Sequence, residues 1–161
     1  MYIYLINFKY SCKKIIDLLY LNKTLNLNKT VKSLIKLKEL LFSDGELQKI
    51  PKEIGSLINL QILDLDYNQL QEIPKEIGYL IGLQELYLSE NQLKEIPNEI
   101  GSLINLQRLF LYNNELQEIP KEIGSLINLE ELYLHNNELQ EIHKELYNLV
   151  NCAPAGRPTY K

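Results

Sequence analysis

The stretch LQELYLSENQLKEIPNEIGSLIN, from Leu83 to Asn105, is one copy of a 23-residue repeat that decides the fold of this chain. Five successive copies run from Leu37 to Asn151 and follow the template L-x-x-L-x-L-x-x-N-x-L-x-x-I-P-x-E-I-G-x-L-x-N. A unit of this length is too small to bury a core of its own, so the copies must stack and share one. The repeat therefore predicts a solenoid whose long curved surface is suited to contacting a partner.

The first half of each copy alternates leucines with other residues, as a strand does, and so points its leucines to one side. The same strand recurs in the same direction, which predicts a single parallel sheet. The leucines at the central strand position are Leu40, Leu63, Leu86, Leu109 and Leu132. After four of the strands comes an asparagine whose amide is expected to satisfy backbone groups buried at the turn. These asparagines are Asn68, Asn91, Asn114 and Asn137.

The second half of each copy returns the chain along the other side of the solenoid. Its prolines are expected at the first position of a short helix, because their φ is already helical. They are Pro51, Pro74, Pro97 and Pro120. A glycine follows each of them four residues later, and glycine is a poor residue for a helix interior. The helices are therefore predicted to be short, of α or 3₁₀ type.

Deviations from the template divide the chain into three parts. Residues 1–36 are predicted to form an N-terminal segment and a degenerate capping repeat, because terminal repeats must cover the core. Residues 37–151 hold the five repeats, and residues 152–161 match nothing in the template and are predicted to be a flexible tail.

Composition and charge argue against several classes of function. The net charge of −4 does not suit nucleic-acid binding, which needs a basic face. No run approaches the ~20 apolar residues of a membrane span. The opening MYIYLINFKY lacks the basic start of a signal peptide, which leaves the compartment open.

No catalytic residues, metal site or cofactor are predicted. The two histidines, His135 and His143, fall in different halves of their repeat, whereas zinc needs three or four convergent ligands. No Ser-His-Asp set and no glycine-rich phosphate loop is present. Asp64 and Asp66 point to the same face of one strand and could hold a hard cation, but a solvated acidic surface explains them more simply.

The P-x-E-I-G-x-L signature resembles the 23-residue class of the leucine-rich repeat family, found in plant Ras-group proteins and in bacteria, including spirochaetes. The resemblance implies an α/β horseshoe with a parallel sheet on its concave face and short helical or 3₁₀ turns on its convex face. It also implies a non-enzymatic role in protein–protein interaction, for example in a bacterial surface or secreted protein that contacts a host.

The strand residues between the leucines are expected on the concave face, where they do not serve the core. Tyr87, Phe110 and Tyr133 should stand on adjacent strands about 5 Å apart, as an exposed aromatic cluster with Tyr112 and His135 beside them. Such clusters, rimmed by charge, mark interaction sites. The residues predicted to bind a protein partner are Tyr67, Glu85, Tyr87, Arg108, Phe110, Tyr112, Glu131, Tyr133 and His135.

Two other interpretations stay open at this point. The aromatic side chains could serve only to stack on one another and stabilise the sheet. Alternatively, the protein could be structural and form a homo-oligomer through its exposed edge strands or its aromatic patch. The favoured hypothesis is a binding module whose concave face holds another protein.

Overall fold

A computed structural model describes residues 36–140 and Leu146, and within them the chain alternates strands with 3₁₀ helices. One parallel sheet contains, in chain order, β1 (Glu39–Leu41), β2 (Ile62–Asp64), β3 (Glu85–Tyr87), β4 (Arg108–Phe110) and β5 (Glu131–Tyr133). The 3₁₀ helices are Lys52–Ser56, Lys75–Tyr79, Asn98–Ser102 and Lys121–Ser125. The predicted α/β solenoid, with its parallel sheet and its short helical turns, is confirmed. The predicted flexible tail and all but the last residue of the predicted cap lie outside the described residues.

The register of the sheet places equivalent residues of successive copies side by side. Leu40 pairs with Leu63, and Leu86 pairs with Leu109. On the other side of the molecule, each 3₁₀ helix lies against the next one along the chain. Each template position therefore becomes a column that runs the length of the solenoid.

The core is one continuous apolar cluster that runs from copy to copy. Leu63, Leu86 and Leu109 in its centre are completely buried, whereas Leu37 and Leu134 near its ends are only partly buried. Each fully buried leucine stabilises the fold by roughly 1.5–3 kcal/mol relative to exposure. Because the core is shared, no copy could keep this burial by itself.

The asparagine amides bind the backbone as the repeat predicts. Asn114 Nδ2 donates to the carbonyl oxygens of Leu111, at 3.1 Å, and of Leu88 in the preceding copy, at 3.0 Å. Asn114 Oδ1 accepts a hydrogen bond from Leu93 N at 3.0 Å. Asn68 and Asn91 make equivalent bonds and are also buried, while Asn137 is only partly buried.

The prolines do not occupy the first helical position, so that expectation is wrong. Pro74 precedes its helix with φ −68° and ψ 141°, an extended conformation. This ψ directs the Pro74 carbonyl to accept the first helical hydrogen bond, from Ile77 N at 3.0 Å. Proline suits this place because its fixed φ is compatible with the extended conformation and its missing N–H is not needed.

The glycines of the 3₁₀ helices have a second role that comes from stacking. A Cβ on Gly78 would lie 2.7 Å from the carbonyl oxygen of Glu99, and one on Gly101 would lie 2.6 Å from that of Glu122. The backbones of neighbouring helices are therefore too close for any side chain at this position. Gly82 lies in a turn before β3 and differs, because a Cβ there would be 3.4 Å from the Ile58 carbonyl oxygen, an ordinary contact.

We expect Asn114→Ala to lower the free energy of unfolding by about 1–3 kcal/mol, because buried backbone groups lose their partners. Asn114 is only 8% exposed. Asn98→Ala at an exposed position is the control and should change stability by less than about 0.5 kcal/mol. Urea unfolding measures both variants. Equal, small losses would show that the amide bonds contribute little.

Two Gly→Ala changes should have opposite effects on stability. Gly78→Ala should lower the free energy of unfolding by about 1–3 kcal/mol, because the new methyl group overlaps the backbone of the next copy. Gly82→Ala should raise it by about 0.4–1 kcal/mol, because the methyl group fits and the unfolded chain loses freedom. Thermal and urea unfolding distinguish them, and a stable Gly78→Ala variant would refute the close stacking.

Candidate functional site

Three aromatic rings lie side by side on the concave face, at the carboxyl ends of β3, β4 and β5. The ring centres of Tyr87 and Phe110 are 4.9 Å apart, and those of Phe110 and Tyr133 are 4.7 Å apart. The predicted spacing of about 5 Å is confirmed. Each ring covers part of its neighbour, so all three are half-buried and only part of each ring is exposed.

A second pair of rings extends this row. Tyr112 and His135 stack with centres 4.8 Å apart and planes 2° from parallel. His135 also meets Tyr133 edge-on at 6.3 Å, which joins the two groups. The five rings form one contiguous surface, called here the aromatic cluster, in which His135 is the most open member. Stacked and edge-on pairs of this kind stabilise by about 0.5–1.5 kcal/mol each beyond their buried area.

The charged residues predicted for binding form ion pairs with one another along one side of the aromatic cluster. Arg108 Nη1 lies 2.8 Å from Glu85 Oε1, and Arg108 Nε lies 3.3 Å from Glu131 Oε1. Tyr87 Oη donates to Glu85 Oε2 at 2.5 Å. Burial, together with this bond to a carboxylate, raises the pKa of Tyr87 to about 12. The three charges are thus already paired, so they position Tyr87 and leave the aromatic faces as the surface for contact.

A group of carboxylates, the acidic patch, lies next to the aromatic cluster and consists of Asp64, Asp66 and Glu90. Asp64 is the direct neighbour of Tyr87 across β2 and β3. Asp66 Oδ1 accepts a hydrogen bond from Ser89 N at 2.6 Å, and Glu90 accepts one from the Asn113 amide. None of the three forms an ion pair within residues 36–140.

The acidic patch has unusual protonation behaviour because it is partly buried. Burial raises the pKa of Asp66 to about 6, and the charges of Asp64 and Glu90 add to the effect. Burial also raises the pKa of Asp64. Ser89, at a position expected to be open, is completely buried, whereas Asp66 and Tyr112, which precede and follow it in the same column of the repeat, are only partly buried. The sequence placed these carboxylates on the concave face, but only the packing around them shows the raised pKa.

Tyr67 places a bulky aromatic side chain on a backbone in the left-handed conformation. It has φ 55°, in the left-handed region, as do the equivalent residues Asp44, Glu90, Asn113 and Asn136. Asn and Asp adopt this conformation more readily than other non-glycine residues, and a bulky side chain is a genuine outlier. Tyr67 is 50% exposed, and its hydroxyl interacts with that of Tyr112 in the aromatic cluster.

The described part of the chain contains neither a metal-binding group of side chains nor a membrane-spanning helix. Among residues 36–140 and Leu146, no three potential ligand side chains come together around a common point, including at Asp64 and Asp66. No helix there is long and apolar enough to cross a membrane.

Comparison with known protein families agrees with the fold. A model described as a leucine-rich repeat region matches residues 65–152, more than half of the chain, and a second leucine-rich repeat model matches residues 35–93. The chain belongs to the leucine-rich repeat family. No curated protein matches this leucine-rich repeat chain.

Several solved structures resemble it. A leucine-rich repeat protein of Leptospira interrogans is 44% identical with a TM-score of 0.71, over 73% of this chain and 30% of that one. An internalin of Listeria monocytogenes is 28% identical with a TM-score of 0.64, over 74% and 34%. A chain of the BIR3–SERK2 complex of Arabidopsis thaliana is 35% identical with a TM-score of 0.55, over 63% and 60%. This chain therefore spans less than two thirds of each of these relatives. The family is in general a protein-interaction scaffold without enzymatic activity.

The raised pKa of Asp66 predicts a specific pH dependence. The folded state holds a proton on Asp66 up to about pH 6, whereas the unfolded chain releases it near the ordinary value of 3.8. The contribution of this group to stability therefore decreases as the pH rises from about 4 to about 6. Asp66→Asn should gain stability relative to the unmodified protein over this range. Urea unfolding at several pH values measures the difference, and a constant difference would contradict the prediction.

Proposed function

We propose that this leucine-rich repeat protein is a non-enzymatic binding module, and that its concave face holds a protein partner through the aromatic cluster and the acidic patch. The observation that carries the proposal is the direct contact of these two surfaces, with Asp64 beside Tyr87. One surface offers ring faces and the other offers carboxylates that no cation of the described residues neutralises.

The chemistry of the two surfaces specifies the partner segment. The partner contributes an apolar or aromatic side chain that lies on Phe110 and Tyr112, and a lysine or arginine that reaches Asp66. Burial of the pair would strengthen the attraction, since partly buried charges are screened less by salt. Tyr67 lies at the rim of the acidic patch, where its half-exposed ring can cover the stem of the cation and add a cation–π contribution.

The relatives support a role in protein binding. A chain of similar fold forms part of the BIR3–SERK2 complex, which is an assembly of two proteins. The plant peptide hormone receptor RGFR1, solved in complex with RGF2, is 37% identical over 68% of this chain. The choice of partner depends on the concave side chains, which differ from copy to copy within this chain.

A displayed library of random peptides tests the proposal directly, because the selection itself reports which side chains the concave face prefers. Enrichment of peptides that combine a lysine or arginine with an aromatic residue is the expected outcome. The selected peptide should bind more weakly at pH 5 than at pH 7, because Asp66 is protonated below about pH 6. Enrichment of acidic peptides, or binding that does not depend on pH, would contradict the role of the acidic patch.

Variants of the concave face should lose binding while they remain folded. Phe110→Ala should weaken peptide binding by about 2 kcal/mol if the ring is an anchor, and it should lower stability by about 1–3 kcal/mol through two lost ring pairs. Tyr67→Asn should weaken binding but change stability by less than about 1 kcal/mol, because Asn tolerates the left-handed backbone and this offsets the lost interaction with Tyr112. Titration calorimetry and urea unfolding give both quantities.

The convex variants Lys75→Ala and Lys121→Ala are the controls and should change neither quantity. Loss of binding in the controls alone would show that the wrong face is assigned. Normal binding by Phe110→Ala and Tyr67→Asn would leave the aromatic side chains with only a stacking role.

A further inference from the structure

Within residues 36–140, four isoleucines form an exposed column on a side of the solenoid that the concave site does not use. They lie in the turns between the 3₁₀ helices and the strands, and they have no place in the core. Ile58, Ile81, Ile104 and Ile127 are 52%, 57%, 53% and 84% exposed. They are called here the isoleucine ladder. A contiguous exposed apolar column of this kind marks an interaction surface, whereas isolated exposed apolar residues do not.

The turns that carry the ladder are tied to one another. Asn105 Nδ2 donates to the Ile81 carbonyl oxygen at 2.7 Å, and Asn128 Nδ2 donates to that of Ile104 at 2.7 Å. Since the copies stack at about the spacing of parallel strands, ~4.8 Å, the side chains recur at a fixed interval. The ladder is therefore a regular and preorganised row of methyl groups.

The residues that flank the ladder within these turns carry no charge. On the helix side they are Ser56, Tyr79, Ser102 and Ser125, and on the strand side Asn59, Gly82, Asn105 and Asn128. A second copy of this chain carries the same net charge of −4, and it can approach here without placing like charges together. A partner recognised by its charge would find nothing to bind at this surface.

The ladder is also complementary to itself. In a symmetric dimer the same patch contacts its own copy, so residue i meets residue j and j meets i. A two-fold axis that crosses the ladder midway between Ile81 and Ile104 places each of these next to the other in the second copy. The same axis brings Tyr79, which is 61% exposed, opposite Ser102 of the second copy. A large side chain thus meets a small one.

We propose that the isoleucine ladder is the interface of an antiparallel homodimer. The four isoleucines and Tyr79 of the described residues expose less than the ~800 Å² that each partner contributes to a standard interface. The dimer is therefore weak and reversible, with a dissociation constant of roughly micromolar order. The concave face of each copy stays open. The dimer would then present two binding sites and strengthen attachment to a repetitive target.

Sedimentation equilibrium of the full chain tests the proposal, over ~1 to ~500 µM to cover weak interfaces. The apparent mass should rise from 18.9 kDa towards twice that value. Ile104→Glu should weaken association by at least about 100-fold, because it buries an unpaired charge. The control Gln117→Glu adds the same charge at an exposed site outside the ladder and should dimerise normally. Circular dichroism should show that both variants are folded.

A mixing experiment tests the antiparallel arrangement. Ile81→Lys and Ile104→Glu should each be monomeric alone, but their mixture should form heterodimers. In the heterodimer the introduced lysine faces the introduced glutamate, and the remaining Ile81 and Ile104 still meet. A mixture that stays monomeric would overturn this arrangement.

Three further outcomes would overturn the ladder as the interface. The first is an unmodified protein that is monomeric over the whole concentration range, and the second is an Ile104→Glu variant that dimerises normally. The third is loss of dimers in Phe110→Ala, which would assign the contact to the aromatic cluster. Retention of dimers by Phe110→Ala together with their loss in Ile104→Glu is the expected result.

Discussion

The asparagine amide at the end of each strand is the interaction on which the rest of the structure depends. Asn114 binds its own copy through the Leu111 carbonyl and the preceding copy through Leu88 and Leu93. These bonds let the chain turn next to the core without leaving buried backbone groups unsatisfied, which would cost about 1–3 kcal/mol per group. They also fix the distance and the register between copies. The columns of leucine, of concave residues and of convex glycine all follow from that register.

Because the register between copies is fixed, a change of residue at a strand position between the leucines changes the concave surface and leaves the core unchanged. The core columns hardly vary, because each leucine must fill the same space between the same neighbours. The strand positions beside them vary freely, and in this chain they change from acidic residues on β2 to aromatic residues on β3 to β5. The ion pairs of Arg108 with Glu85 and Glu131 stabilise the edge of the aromatic cluster. The concave side chains thus stand in regular columns on a backbone that repeats from copy to copy.

The stacked repeats give the protein two surfaces with different chemistry, the concave face and the isoleucine ladder. The concave face combines rings with carboxylates, and burial raises the pKa of one of those carboxylates, Asp66, to about 6. The isoleucine ladder is apolar and uncharged and lies in the turns before the strands. Both surfaces are columns of one repeat position, so each extends over several copies. The two proposed contacts therefore use different residues.

The sequence by itself determined the repeat, the parallel sheet, the asparagine bonds and the ring spacing of Tyr87, Phe110 and Tyr133, because a constant period places equivalent residues in columns. Only the tertiary structure decided which side chains are free. It showed that Phe110 is half-buried between Tyr87 and Tyr133, that Arg108 is already paired, and that Ile104 is exposed. Exposure, pairing and pKa depend on distances between columns and between stacked backbones. A sequence period gives the order of the columns along the chain, but it does not give those distances.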